Sequence, residues 1–221
     1  MQDQDHVADI RPPARDTYRH GDLRRALLDA GIELARGGGP QAVVLREATR
    51  RAGVAPNAAY RHFENRLALL DAVRLAALTE LAQAMEKEVA GVRRARNSAA
   101  YARDCLSAVG AAYLRFAQEE TGLFRSAFVP PDPSEPEQPG GRPAKAQPGV
   151  PHPFLLLGAV LDRMVESGVL PASRRPGAEY LAWSAVHGLA MLVIDGPLAV
   201  MPRKEVQALG RRLLDMVEKG L

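Results

Sequence analysis

The stretch Val44–Arg66, VLREATRRAGVAPNAAYRHFENR, decides the fold. Val44, Leu45 and Ala48 fall at helical spacing, and Ala52 follows one turn later. Gly53 supplies a residue that takes positive φ where the chain must turn. Val54 can fill the angle between the two segments. Pro56 suits the first turn of a new helix, where its missing N–H costs nothing, and that helix is expected to run to His62. Two short helices around a tight Gly turn predict a helix-turn-helix, whose second helix enters the major groove of DNA.

Outward from this stretch the chain reads as helix throughout. In residues 23–34 an apolar stripe of Leu23, Ala26, Leu27, Ala30, Gly31 and Leu34 marks one face of an amphipathic helix. Gly37-Gly38-Gly39-Pro40 is expected to stop it. No strand precedes these glycines and no GK[ST] follows, so they read as a linker, not a phosphate loop. Asn65 is placed to cap a long helix reaching Gly91. A further helix is expected from Asn97 or Ser98 to Glu120, broken by Gly122, with a short one from Leu123 to Val129. Phe154–Gly168, Pro176–Asp195 and the segment after Pro202 complete an all-α chain of about nine helices.

Two segments stand apart. Residues 1–17 are polar, contain Pro12 and Pro13, and read as an arm. Arg11, Arg15 and Arg19 could reach DNA from it, or the arm could be a solvated tail. Residues 130–151 hold eight prolines and three glycines, which forbids a regular helix and predicts a mobile loop.

Charge is informative through its distribution. The 221 residues carry a net charge of only +3. Residues 11–66, however, hold 11 Arg against 6 acids, whereas residues 67–221 hold 18 Lys and Arg against 17 acids. The positive surplus therefore sits with the helix-turn-helix, as phosphate contact requires. A single cysteine, Cys105, excludes an internal disulfide, reads as a small buried apolar residue, and fits a reducing cytoplasm. No secretory apolar segment opens the chain. The longest apolar run, Ala185–Ile194, is interrupted and too short to span a bilayer. His and Cys residues lack metal-ligand spacing, and no nucleophile, base and orienter can be assembled, so neither metal, cofactor nor catalysis is expected.

The block YRHGDLRRALLDAG and the segment AGVAPNAAYRHFENRLALLDAV together resemble the DNA-binding domain of the TetR family of bacterial transcriptional regulators, over roughly residues 18–73. Tyr60, His62 and Phe63 form the most distinctive part. WSAVHGLAML, Trp183–Leu192, resembles a subgroup named for a Trp…His-Gly motif. The resemblance implies a homodimeric regulator of a double-stranded, palindromic operator, most simply a repressor released by a small-molecule effector. It implies a DNA-binding domain at 18–66 and a helical effector-binding and dimerisation domain at 67–221.

Within that reading Asn57 can pair with adenine and Ala58 or Ala59 can touch a thymine methyl. Tyr60, Arg61 and His62 suit phosphates, as does Arg66, bidentately, where the family has Lys. Arg46 is a base or phosphate candidate, and Pro56 opens the reading helix. Ala55 stands where the family has Ser or Thr, so a capping oxygen is missing. Phe116, Phe124, Phe128, Trp183, His187 and Met191 could line an effector cavity. The same residues could equally be ordinary core, and His187-Gly188 could mark a close helix packing. Val206, Leu209, Leu213, Leu214 and Val217 form the stripe expected at the dimer interface. Two other classes fit the helical pattern: a ligand-binding protein or enzyme with a vestigial helix-turn-helix, and a structural DNA-binding protein with a filled core.

Overall fold

The computed structural model describes residues 20–129 and 150–221, apart from the side chains of residues 20–22 and Pro56. Among these residues there are nine α-helices, one 3₁₀ turn and no strand. The arm at 1–17 and nearly all of the Pro-rich segment lie outside the described residues.

Helix α1 (His20–Ala42) buries Leu27, Ala30, Gly31 and Leu34, the stripe its sequence carries. It does not end at the first glycine of the run. Gly37 and Gly38 stay helical, and the break is at Gly39, with φ 69° and ψ −166°. Glycine in a helix costs only about 1 kcal/mol against alanine, so the ladder runs on until a positive φ interrupts it.

Helices α2 (Leu45–Arg51) and α3 (Pro56–Ala59) pack on α1. Helix α4 (Arg66–Ala90) then leads away from them as one unbroken rod. Its start is set by Asn65, whose side-chain oxygen accepts from Ala68 N–H at 2.9 Å. Ser98 caps α5 (Ala99–Glu119) in the same way, accepting from Tyr101 N–H at 3.0 Å. Helices α6 (Thr121–Ala127), α7 (Pro153–Glu166), α8 (Ala178–Ile194) and α9 (Arg203–Gly220) surround α5, which packs on all four and on α4. Cys105 is fully buried on α5.

Gly122 does not break a helix, contrary to the sequence expectation. The backbone already turns at Glu120, with φ −117° and ψ 44°, and Gly122 lies inside α6. Its role is close approach. A Cβ there would sit 2.1 Å from the Ala35 carbonyl oxygen and 2.6 Å from that of Arg36, on α1. Beside this contact the Arg36 guanidinium binds three carboxylates from three places in the chain. It donates to Glu33 at 2.5 Å, Glu120 at 2.8 Å and Glu80 of α4 at 2.9 Å. Burial holds the Glu80 carboxyl above its ordinary range; the Arg36 charge opposes this and Glu120 reinforces it.

Gly122→Ala is therefore expected to cost about 3 kcal/mol, since the obstacle is backbone and cannot rotate away. Gly220→Ala, which meets nothing within 4 Å, is expected to be near neutral. Urea unfolding of the two variants checks the contrast.

Candidate nucleic-acid interface and apolar cavity

The α2–α3 pair is built around an inward-facing set. Leu45, Ala48 and Thr49 of α2 are buried, as are Ala59 and Phe63. Gly53 takes φ 67°, and Val54 N–H returns to the Thr49 carbonyl at 3.0 Å, which closes the turn. Phe63 seats the end of the motif on α1, where the Arg24 guanidinium lies 5.2 Å from its ring centroid.

The second helix is shorter than its sequence suggested. It spans Pro56–Ala59, one turn, and Tyr60–His62 continue it only as a turn, with His62 and Phe63 N–H both donating to Ala59 O at 2.9 Å. Ala55 supplies no side-chain cap, as expected for alanine. Burial of Ala59 removes it from the base-facing candidates and leaves Ala58, which is half-buried. Asn57, Tyr60 and Arg61 are exposed, and His62 is half-buried. Among the described residues none of their side chains, nor that of exposed Arg46, makes a hydrogen bond or ion pair.

Other arginines of the head are committed internally. Arg50 donates twice to the Glu47 carboxylate, at 2.9 and 2.6 Å, and Arg51 donates to it at 3.3 Å. These hydrogen bonds, Arg50 foremost, bring the Glu47 carboxyl down to about 2. Arg66 was expected to fork onto a phosphate. Its Nε instead donates to Val43 O at 2.8 Å and an Nη to Pro40 O at 2.7 Å. The fork thus ties the start of α4 to the backbone that follows the α1 break, a role invisible in sequence because both acceptors are backbone.

The second feature is a carbon-lined cavity in the helical remainder. Leu78 and Met85 of α4, Leu106, Val109 and Tyr113 of α5, Phe128, and His152–Phe154 with Leu157 at the start of α7 form its walls with Ala182, Trp183 and Val186 of α8 and Leu214 and Val217 of α9. Its volume is about 40 Å³, and it opens to solvent.

One polar node adjoins this space through Tyr113 and Trp183, both of which line it. Trp183 Nε1–H donates to Tyr113 Oη at 3.1 Å, and Tyr113 Oη lies 2.8 Å from His187 Nδ1, a hydrogen bond whose direction follows the His tautomer. Burial pushes the Tyr113 hydroxyl far above its ordinary range and His187 below its own, so both are neutral near pH 7.

Of the sequence candidates, Phe128 and Trp183 line the cavity, and His187 joins through Tyr113. Phe124 stands behind the wall, fully buried, with its ring 5.3 Å from Tyr113 and 4.9 Å from Phe128. Phe116 is buried but is not among the lining residues. Met191 faces outward and is 37% exposed. Eight helical residues rotate about 80° past two full turns, so Met191 leaves the face that Trp183 defines. Tyr113 lies among the buried apolar positions of α5, and no motif marks it in the sequence. The available signal was its hydroxyl, which a buried tyrosine must pair.

Residues 27–73 match the family described as "Bacterial regulatory proteins, tetR family", and residues 106–217 match "Tetracyclin repressor-like, C-terminal domain". The chain belongs to the TetR family. As a member of it, the chain is a DNA-binding transcriptional regulator with the family's two-part, all-helical organisation. A similar solved structure, a protein of unknown function from Rhodococcus sp. RHA1, is 26% identical with TM-score 0.66, covering 94% of this chain and 99% of that one. The TetR family regulator PfmR from Thermus thermophilus shares the fold at 20% identity and TM-score 0.54, over 88% and 98% of the two chains. So does FadR from Bacillus subtilis, solved with stearoyl-CoA, at 12% identity and TM-score 0.56, over 89% and 98%. No curated protein sequence matches the chain significantly. Among the described residues, no helix is long and apolar enough to cross a membrane, and no three His, Cys, Asp or Glu side chains are placed to hold a metal ion.

Arg66→Ala is expected to lower stability by about 1 kcal/mol, the exposed end of the range for charge-assisted hydrogen bonds. Arg66→Lys should recover only part of it, because an ammonium cannot span both carbonyls. Thermal unfolding of the two variants reads the difference; equal stability of all three proteins would make Arg66 a free cation.

Proposed function

We propose that this TetR-family chain is a cytoplasmic, homodimeric repressor that is released from a palindromic operator when a small molecule fills the apolar cavity, and that it is not an enzyme. The observation that carries the DNA reading is the set Arg46, Asn57, Ala58, Tyr60, Arg61 and His62 in and beside a one-turn helix, whose side chains make no hydrogen bond or ion pair among the described residues. Asn57 and Ala58, at the start of that helix, read bases; Tyr60, Arg61 and His62 hold phosphates; Arg46 adds a cation from α2. Arg66 acts as a positioning residue for this head. The division into an arm at 1–17, a head at 18–66 and a helical remainder follows from these roles.

Coupling is supported by α4. The rod that starts at Arg66 carries Leu78 and Met85 on the cavity wall. A ligand with a preference for one placement of α4 shifts the separation of two heads on one operator.

The dimer reading needs revision of its residues. Val206, Leu214 and Val217 are buried in the chain's own core, and the last two line the cavity. Leu209 and Leu213 remain half-buried, and exposed Met216 shares their face of α9. On α8 a second stripe is open: Leu181 at 65% exposure, Ser184, Ala185, Gly188 and Leu192 at 44%. Gly188 is mid-helix and meets nothing within 4 Å. Glycine there costs the helix roughly 0.5–1 kcal/mol against alanine. A second α8 pressed against the stripe gives that missing Cβ a purpose.

Tyr60→Ala should weaken binding to specific and random DNA alike, by roughly three- to tenfold, whereas Asn57→Ala should relax preference at one base pair. Selection from a random DNA library checks this, and recovery of no palindrome would sink the operator. Gly188→Leu should yield monomers by analytical ultracentrifugation with helix content unchanged; a dimer of undiminished affinity would remove α8 from the interface.

A further inference from the structure

The cavity also restricts what can occupy it. Among the described residues, none that lines it is Lys, Arg, Asp or Glu. The arginine nearest in sequence to the Phe128 wall, Arg125, is engaged with the Asp195 carboxylate and the Ile194 carbonyl. The basic side chain on the wall is His152, whose Nδ1 accepts Phe154 N–H at 3.3 Å and caps α7. An imidazole that accepts at Nδ1 is unprotonated there, so in this arrangement the ring carries no charge. A carboxylate or phosphate in the cavity would lose its water with no cation among the described lining residues to replace it, a cost of several kcal/mol.

The polar node has room for one more hydrogen bond. Trp183 Nε1–H can only donate, and its donation occupies one lone pair of Tyr113 Oη. If His187 Nδ1 is bare, Tyr113 donates to it and keeps one lone pair to accept from a hydroxyl. If His187 Nδ1 carries the proton, it donates to Tyr113, whose own O–H is then left to donate to a carbonyl. Each tautomer leaves Tyr113 with a single vacancy, of opposite sense. The site is therefore suited to one oxygen, whether donor or acceptor, on an otherwise apolar molecule.

Resting on the reading of this cavity as the effector site, we infer that the effector is a neutral, mainly hydrocarbon molecule with one hydroxyl or carbonyl oxygen. That oxygen sits on Tyr113, with the carbon body against Met85, Leu106, Phe154 and Val186. Free carboxylic acids in their ionised form and phosphorylated or nucleotide-bearing conjugates are excluded from this cavity as effectors.

Trp183 is the chain's single tryptophan and stands on the cavity wall, so its fluorescence reports occupancy directly. The full-length protein is titrated with three probes of equal chain length: octanol, methyl hexyl ketone and octanoate, at about pH 8, where the acid is fully ionised. The expected result is saturable quenching or shift by the alcohol and the ketone, with octanoate binding at least about tenfold more weakly, which corresponds to about 1.4 kcal/mol. This ranking is read on the unaltered protein and does not depend on any variant folding. Octanoate binding as tightly as octanol overturns the neutral class and leaves the effector cavity standing. Tyr113→Phe, with its helix content checked by circular dichroism, should weaken the alcohol and the ketone by roughly five- to tenfold; an unchanged affinity overturns the placement of the oxygen on Tyr113. Ala182→Leu, which fills part of the cavity, should abolish the response, and a signal that survives it puts the probes elsewhere and overturns the proposal. If none of the three probes perturbs Trp183, the effector reading of the cavity fails, and the inferred class fails with it.

Discussion

At Gly122 helix α6 touches α1 through backbone alone. The space that a Cβ would need there is taken by the carbonyls of Ala35 and Arg36. Contact this close resists sliding, because any lateral shift must lift one helix over the carbonyl ridge of the other. The Arg36 guanidinium reinforces it by holding Glu120, at the N-terminal end of α6, together with Glu80 on α4 and Glu33 on α1 itself. Three helices thus meet at one arginine beside one glycine. The far end of α6 leads into Phe128, a wall of the cavity. A displacement of that wall would reach α1 through α6, which at Gly122 has no room to yield on its α1 side.

Arg66 closes the same frame from the opposite direction. It is the first residue of α4, and its guanidinium holds the Pro40 carbonyl at the end of α1 and the Val43 carbonyl in the short link to α2. The head is therefore joined to the helical remainder by covalent continuity through α4 and by hydrogen bonds at the C-terminal end of α1. Neither joint resembles a flexible hinge. Coupling between cavity and head, if a ligand prefers one arrangement, acts through tilts of whole helices. The ligand's share of that work is bounded by its differential affinity for the two arrangements, not by its total affinity.

What the sequence made legible was local chemistry. Asn65 and Ser98 cap the helices they were expected to cap, because an N-cap needs only a side-chain oxygen and an amide three residues on. Gly53 turns as its neighbours required. The errors share a different cause. Gly122 reads as a breaker in sequence because a glycine that admits a backbone and a glycine that ends a helix look the same. The α9 stripe was rightly found as apolar but wrongly assigned as a whole to a partner. Leu214 and Val217 lie on the inner part of the band, and Leu209, Leu213 and Met216 lie about one residue step around the helix from it. Periodicity locates an apolar band; only packing says which part of it the chain itself covers. Arg66 was misread for the same reason, its acceptors being carbonyls that no residue type announces, and the polar node was missed because Tyr113 lies 70 residues and more from its partners.

The arginines of the head show how little of a charge surplus need face DNA. Arg36 is held by three glutamates, Arg50 and Arg51 share Glu47, and Arg66 holds backbone. Arg24 lies over Phe63, and Arg25 lies 3.9 Å from Asp29. Arg46 and Arg61 are left, among the described residues, as exposed cations with no side-chain partner. Counting basic residues in this segment therefore pointed to the right half of the chain for a partly wrong reason, since most of these charges hold the head together before they attract phosphate. A reading helix with one amide, one small apolar side chain and few free cations has limited power to read bases directly. Specificity on such a surface has to draw on the shape of the DNA and on the fixed spacing of two heads. In the proposed dimer that spacing is set by α4 and by the exposed stripe of α8, so the rigidity of the frame around Gly122 and Arg66 would supply discrimination that the one-turn helix lacks.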